Sequence, residues 1–192
     1  MPVSKRYEAV VIGVSAGGMN ALKVILSQLP AHFGMALVIV QHRSHQSDDF
    51  LAHYLDGFSP LSVKEVDELE YIQAGVAYIA PANYHLFIEE DKTFSFSLDG
   101  PVNYARPSID VLFEAAADAF GPKLIGLVLT GANNDGSIGL CRIKEQGGLA
   151  IVQDPDTAEV SEMPRAALEM ADVDHVLQLE EIADVLARLD KE

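Results

Sequence analysis

The sequence predicts an α/β fold: a doubly wound, mostly parallel sheet flanked by helices, with an antiparallel β-hairpin at the edge. Three observations lead there. Short, wholly apolar, β-branched runs occupy residues 9–14, 36–40 and 124–129, as expected of strands buried on both faces of a parallel sheet. Stretches with helical periodicity alternate with them, the sign of βαβ units. The middle of the chain carries three shorter runs instead, and the last of these alternates apolar and polar residues.

Taken in order, residues 9–14 form a first strand, 20–28 a helix, 36–40 a second strand and 46–55 a second helix. Residues 76–80, 86–89 and 93–97 are short strands, and Glu90-Asp91-Lys92 makes a tight turn between the last two. These two form a hairpin at the sheet edge or laid across it. A helix over 109–120 leads into the strand at 124–129. A helix over 137–146 follows and stops at Gly147-Gly148. Residues 149–152 repeat the buried-strand pattern, and 180–189 close the chain as a helix. With no repeat, low-complexity segment or linker, residues 1–192 read as a single domain.

Composition narrows the function. The 49% hydrophobic content of the 192 residues supplies a substantial core. Against 29 Asp+Glu stand 13 Lys+Arg, a formal net charge of −16, which opposes binding to nucleic acid or to an anionic membrane. No run of Lys or Arg makes a local exception. Cys141 is the lone cysteine, so no internal disulfide forms and a cytoplasmic setting is expected. Its neighbours read as an amphipathic helix, which makes it a buried structural thiol. The N-terminus lacks the apolar core and cleavage site of a signal peptide, and no stretch reaches membrane-spanning length.

In a parallel sheet the loops past the carboxyl ends of neighbouring strands converge, and sites form there. Ser15 follows the first strand, His42 the second, and Asp135 closes the loop after the strand at 124–129. Serine needs a neighbouring base to become nucleophilic, and imidazole serves best when a carboxylate fixes its tautomer. Gly17 and Gly18 allow a tight turn and a close approach by substrate. The helix starting near Met19 aims its free N–H groups and positive end at the serine, a place for a developing oxyanion. Each residue also has a plainer reading: a serine in a glycine turn, a histidine capping a strand, an Asn-Asp-Gly turn opening a helix. The three complementary types at three strand ends are what single them out.

Other chemistries fit less well. The Gly13-x-x-x-Gly17-Gly18 spacing differs from a dinucleotide loop, and the second strand ends in Gln41-His42 where a ribose-binding acid would stand. No P-loop is present. His42, His45 and His53 suggest a metal site, but no carboxylate or cysteine cluster completes a ligand set, and His45 and His53 read as solvent-facing. An α/β-hydrolase has the chain order Ser, acid, His, whereas here it is Ser, His, Asp.

The motifs, in order, are Val-Ile-Gly-Val-Ser-Ala-Gly-Gly at 11–18, Val-Gln-His at 40–42 and Ala-Gly-Val-Ala-Tyr-Ile-Ala-Pro at 74–81 with His85. They continue with Arg-Pro-Ser-Ile-Asp at 106–110, Leu-Thr-Gly-Ala-Asn-Asn-Asp-Gly at 129–136, and Asp154 with Met-Pro-Arg at 163–165. In these the chain resembles, over nearly its whole length, the catalytic domain of CheB-type protein-glutamate methylesterases. The resemblance implies Ser15 as nucleophile, His42 as base and Asp135 as orienting carboxylate. It also implies hydrolysis of γ-glutamyl methyl esters on methylated chemoreceptor-like helices with release of methanol, deamidation of glutamine by the same acyl-enzyme route, and no metal or organic cofactor. Ala16 stands where the family usually has Thr, Ala132 where it usually has Met, and Ser161-Glu162 where it tends to have an aromatic residue and Gly. The backbone amides of Ala16 and Ala132 remain candidates for the oxyanion site. His85 and Arg106 are candidates to face substrate, beside structural readings as a loop hydrogen bond and a helix-leading ion pair. The chain has no room before Val10 for the family's receiver domain, which leaves a free-standing esterase, a fragment, or regulation by a separate protein. The alternative in another class is a non-catalytic docking domain that keeps the fold; an intact Ser15, His42 and Asp135 set argues for the enzyme.

Overall fold

β1 (Ala9–Val14) lies at the heart of a seven-stranded sheet because every one of its residues is buried and neither edge is free. It pairs in parallel with β2 (Ala36–Gln41) on one side and β7 (Leu124–Val128) on the other. The computed structural model describes residues 7–43 and 49–192. With β3 (Ser62–Glu65), β4 (Val76–Ile79), β8 (Leu149–Gln153) and β9 (His175–Leu177), the strand order is β3-β4-β2-β1-β7-β8-β9, and every pairing is parallel.

The alternation of side chains divides the core in two. Val10, Ile12 and Val14, with Leu37 and Ile39, face α1 (Gly18–Gln28), α2 (Phe50–Asp56) and α6 (Ile182–Leu189). Val11, Val38, Val40 and Val128 face the opposite layer, formed by α3 (Ile109–Phe120), α4 (Ser137–Glu145) and α5 (Glu162–Met170). The change of layer falls beside β1, so the carboxyl ends of β1, β2 and β7 open a crevice there.

The structure adds detail to the sequence expectation and departs from it in places. Val76–Ile79 is a parallel strand inserted between β2 and β3. The hairpin of β5 (His85–Ile88) and β6 (Phe94–Ser97) forms its own two-stranded sheet, with β5 packed on α3. Its turn is closed by Lys92 in the left-handed region (φ 67°) donating its N–H to Glu89 O. The edge strands β3 and β9, and α5, carry no apolar run of their own and were not anticipated. The helix expected over 46–55 is described from Phe50 to Asp56; its start, like His45 and the N-terminal segment 1–6, lies outside the described residues. Cys141 is half-buried, and its Sγ donates to Met170 O, joining α4 to α5. Among the described residues no helix is long and apolar enough to cross a membrane.

Candidate active site

Parallel pairing sets Ser15 and His42 side by side. The register ends at Val14 opposite Gln41, and the His42 N–H donates to Val14 O at 3.0 Å. Ser15 in turn donates its N–H to Thr130 O in the loop after β7. The buried Gln41 amide ties the two strand ends together, with Nε2 donating to both Ser15 O and His42 O at 2.9 Å. The chain then turns sharply at Gly17, whose φ of 80° disfavours a side chain. α1 begins there with no side-chain cap and no acidic residue in its first turn, so its positive end is directed at the serine loop. The β7 loop crosses Ser15 closely: a Cβ on Gly131 would fall 2.9 Å from Ser15 Cβ and 2.0 Å from Met163 Sδ.

Asp135 is fully buried behind His42. Its Oδ2 lies 2.8 Å from His42 Nε2 and accepts the Ile109 N–H at 2.7 Å. Its Oδ1 accepts from Ser108 Oγ at 2.9 Å, from the Asp110 N–H at 3.0 Å and from Asn103 Nδ2 at 3.1 Å. Burial alone would raise its pKa, but the hydrogen bonds from His42 and from the Asp110 and Ile109 amides outweigh it and hold the carboxyl below its ordinary value. The carboxylate therefore sits ionised at the N-terminus of α3, where the helix dipole favours it.

The donor pattern sets the imidazole tautomer. Asp135 can only accept, so Nε2 carries the proton. Asn133 Nδ2 lies 3.2 Å from Nδ1 and donates to it, while Asn133 Oδ1 accepts the Asp135 N–H. Nδ1 is then the basic nitrogen, covered by an amide in the resting site. Among the described residues no hydrogen bond joins Ser15 Oγ to His42.

The other candidates divide. The Ala16 and Ala132 N–H groups meet no acceptor among the described residues, and both residues are exposed. Ala16 follows Ser15, and Ala132 follows the glycine that touches it. His85 does not face the crevice: it is 1% exposed, its Nε2 hydrogen-bonds Gly100 O, and its Nδ1 accepts the Ser108 N–H. Arg106 is likewise held by groups of the surrounding loops. Its guanidinium donates to Leu98 O, Asp99 O and Asn83 Oδ1, bracing the loop that leads to α3. Ser161 and Glu162 open α5, whose Met163 N–H bonds Gly131 O, one residue from Ala132. Asn103, Ser108 and Asp110, which grip Asp135, were not singled out as site residues by sequence reasoning. No cluster able to hold a metal exists among the described residues, and His53 is exposed and paired with Asp49. A cavity of about 670 Å³ adjoins Ser15, walled by Met19, Lys23, Gln41, Tyr54 and Glu159.

Comparison with known proteins identifies the family and the fold. The CheB methylesterase family model matches residues 10–186. A putative protein-glutamate methylesterase/protein-glutamine glutaminase of Leptospira interrogans (serovar copenhageni) is 57% identical over 185 residues, 96% of each chain. The protein-glutamate methylesterase/protein-glutamine glutaminase of Archaeoglobus fulgidus is 37% identical over 182 residues, which make up 93% of this chain but only 52% of that protein. The crystal structure of the Thermotoga maritima CheB methylesterase catalytic domain superposes with a TM-score of 0.92 at 35% identity, covering 97% of this chain and 100% of that one.

Proposed function

The chain belongs to the CheB methylesterase family, and from that premise we infer that it hydrolyses γ-glutamyl methyl esters on receptor-like protein helices through Ser15, His42 and Asp135. The observation that carries the triad is the buried Asp135 carboxylate, saturated with donors and 2.8 Å from His42 Nε2, at the strand end beside Ser15.

The steps we infer are these. Once substrate displaces the Asn133 amide, His42 Nδ1 takes the Ser15 hydroxyl proton while Ser15 Oγ attacks the ester carbonyl carbon. The carbonyl electrons pass to oxygen, where the Ala16 and Ala132 N–H groups and the start of α1 stabilise the charge. Collapse of the intermediate breaks the C–O bond to the methoxy group, which leaves as methanol with the proton from His42. Water then attacks the acyl-enzyme, gives its proton to His42, and releases the glutamate carboxylate and free Ser15. Asp135 stays ionised throughout and stabilises the imidazolium. A glutamine side chain enters the same sequence with ammonia as leaving group, in keeping with the double name of the relatives.

Methanol release from a methylated receptor tests this directly. Ser15→Ala is expected to lower turnover by about 10⁴-fold or more, and Asp135→Asn by a comparable factor. Equal release by wild type and Ser15→Ala would remove Ser15 as the nucleophile.

A further inference from the structure

The turn over residues 98–106 places a strained asparagine against the carboxylate end of the triad. Val102 and Ala105 pair with each other through both backbone hydrogen bonds. That leaves Asn103 (φ 51°) and Tyr104 (φ 62°) side by side in the left-handed region, which costs free energy for residues with a Cβ and is best tolerated by Asn or Asp. Tyr104 is wholly exposed and recovers none of that cost. Asn103 does recover it. Its Nδ2 gives one hydrogen to Asp110 Oδ2 at 2.8 Å and the other to Asp135 Oδ1 at 3.1 Å.

The two carboxylates are held reciprocally. Asp135 accepts the Ile109 and Asp110 amides at the start of α3, while Asp110 accepts the Gly139 amide at 2.7 Å in the first turn of α4. The Asn103 amide is the neutral bridge between them. We propose that Asn103 is a positioning residue, whose amide fixes Asp135 Oδ1 so that Oδ2 stays aimed at His42 and keeps the second buried carboxylate, Asp110, apart from it. This role rests on the triad reading above. The titratable groups facing the bridge are Asp110 from α3, Asp135 from the turn before α4 and, through Asp135, His42 past β2. Cys141 of α4 feels the charge of Asp110, and His85 of β5 reaches as far as the Ser108 amide.

Loss of the amide removes a donor from Asp135. Its charge then holds the imidazolium form of His42 more tightly, and its carboxyl is freer to rotate. The test is the rate at which a fluorophosphonate labels Ser15 on the folded full chain, followed between about pH 5 and 9, with thermal unfolding run alongside. Asn103→Gly keeps the left-handed backbone and deletes only the amide. It is expected to slow labelling about 10- to 100-fold at neutral pH and to move the acid limb to higher pH. Asn103→Asp, which also suits the turn, adds a carboxylate and should move the limb further in the same direction. A folded Asn103→Gly with wild-type rate and limb overturns the proposal, and so does a slower variant whose limb stays in place. Should Asn103→Gly fail to fold, an unmoved limb in Asn103→Asp overturns it instead. Wild-type protein that does not label at all brings down the triad reading, and this role with it, an outcome distinct from failure of the variants alone.

Discussion

Asp135 and Asp110 share one cradle and titrate in opposite directions. Burial first, and then the charge of Asp135, pushes Asp110 up to about 6, although the Gly139 amide and Asn103 act against the shift. A carboxyl raised above its unfolded value of 3.8 favours the folded state most below that value. Its contribution is lost as the pH rises through about 6. Asp135 is held low, so its contribution is present above the unfolded value and disappears as the pH falls through its folded one. Asp110→Asn should therefore gain stability relative to wild type by about 1 kcal/mol per pH unit across the interval between the two Asp110 values, as read by urea midpoints. A flat difference across that interval would refute the assignment. The strand-end positions of Ser15 and His42 were readable in the sequence because each follows an apolar run whose end is easy to place, and Asp135 closes the loop after a third such run. Asn103 and Asp110 were not, since their roles depend on a left-handed turn and on two helix starts that meet only in the folded chain. His85 and Arg106 show the complementary limit: a motif names a residue without saying which way its side chain points.

At the scale of elements, α3 and α4 set the aim of Asp135 because their N-termini converge on it. Their approach is close at Gly139, where a Cβ would fall 2.5 Å from Phe113 Cβ and 3.1 Å from the Asp110 backbone. Gly139→Ala is expected to cost about 1–3 kcal/mol and to slow fluorophosphonate labelling by shifting the turn that carries Asp135. Wild-type stability in that variant would mean the helices part freely. Buried strands and long helices announce themselves by composition, which is why β1, β2, β7 and α3 were readable with nearly correct ends. β3 (Ser-Val-Lys-Glu) and β9 (His-Val-Leu) lie at the sheet edges and are partly exposed, so their pairing is dictated by the neighbouring strand. In α5, Pro164 resembles a helix breaker, yet in the first turn its missing N–H would have had no intrahelical partner.

For the whole molecule, a net charge of −16 sets which substrates approach readily. Glutamyl methyl ester peptides with basic flanks should show higher kcat/KM at low salt than acidic ones. The gap should close toward about 1 M salt, where the screening length falls to roughly 3 Å. A salt-independent ratio would show that local contacts around the cavity by Ser15 outweigh the overall field. Activation of Ser15 as a nucleophile by His42 and Asp135 is read out by fluorophosphonate labelling of native protein followed by mass mapping of the adduct. A single adduct on Ser15 is expected, absent from Ser15→Ala and slowed by about 10³-fold or more in His42→Ala. Labelling of Ser15→Ala at the wild-type rate, or an adduct on another residue, would contradict it.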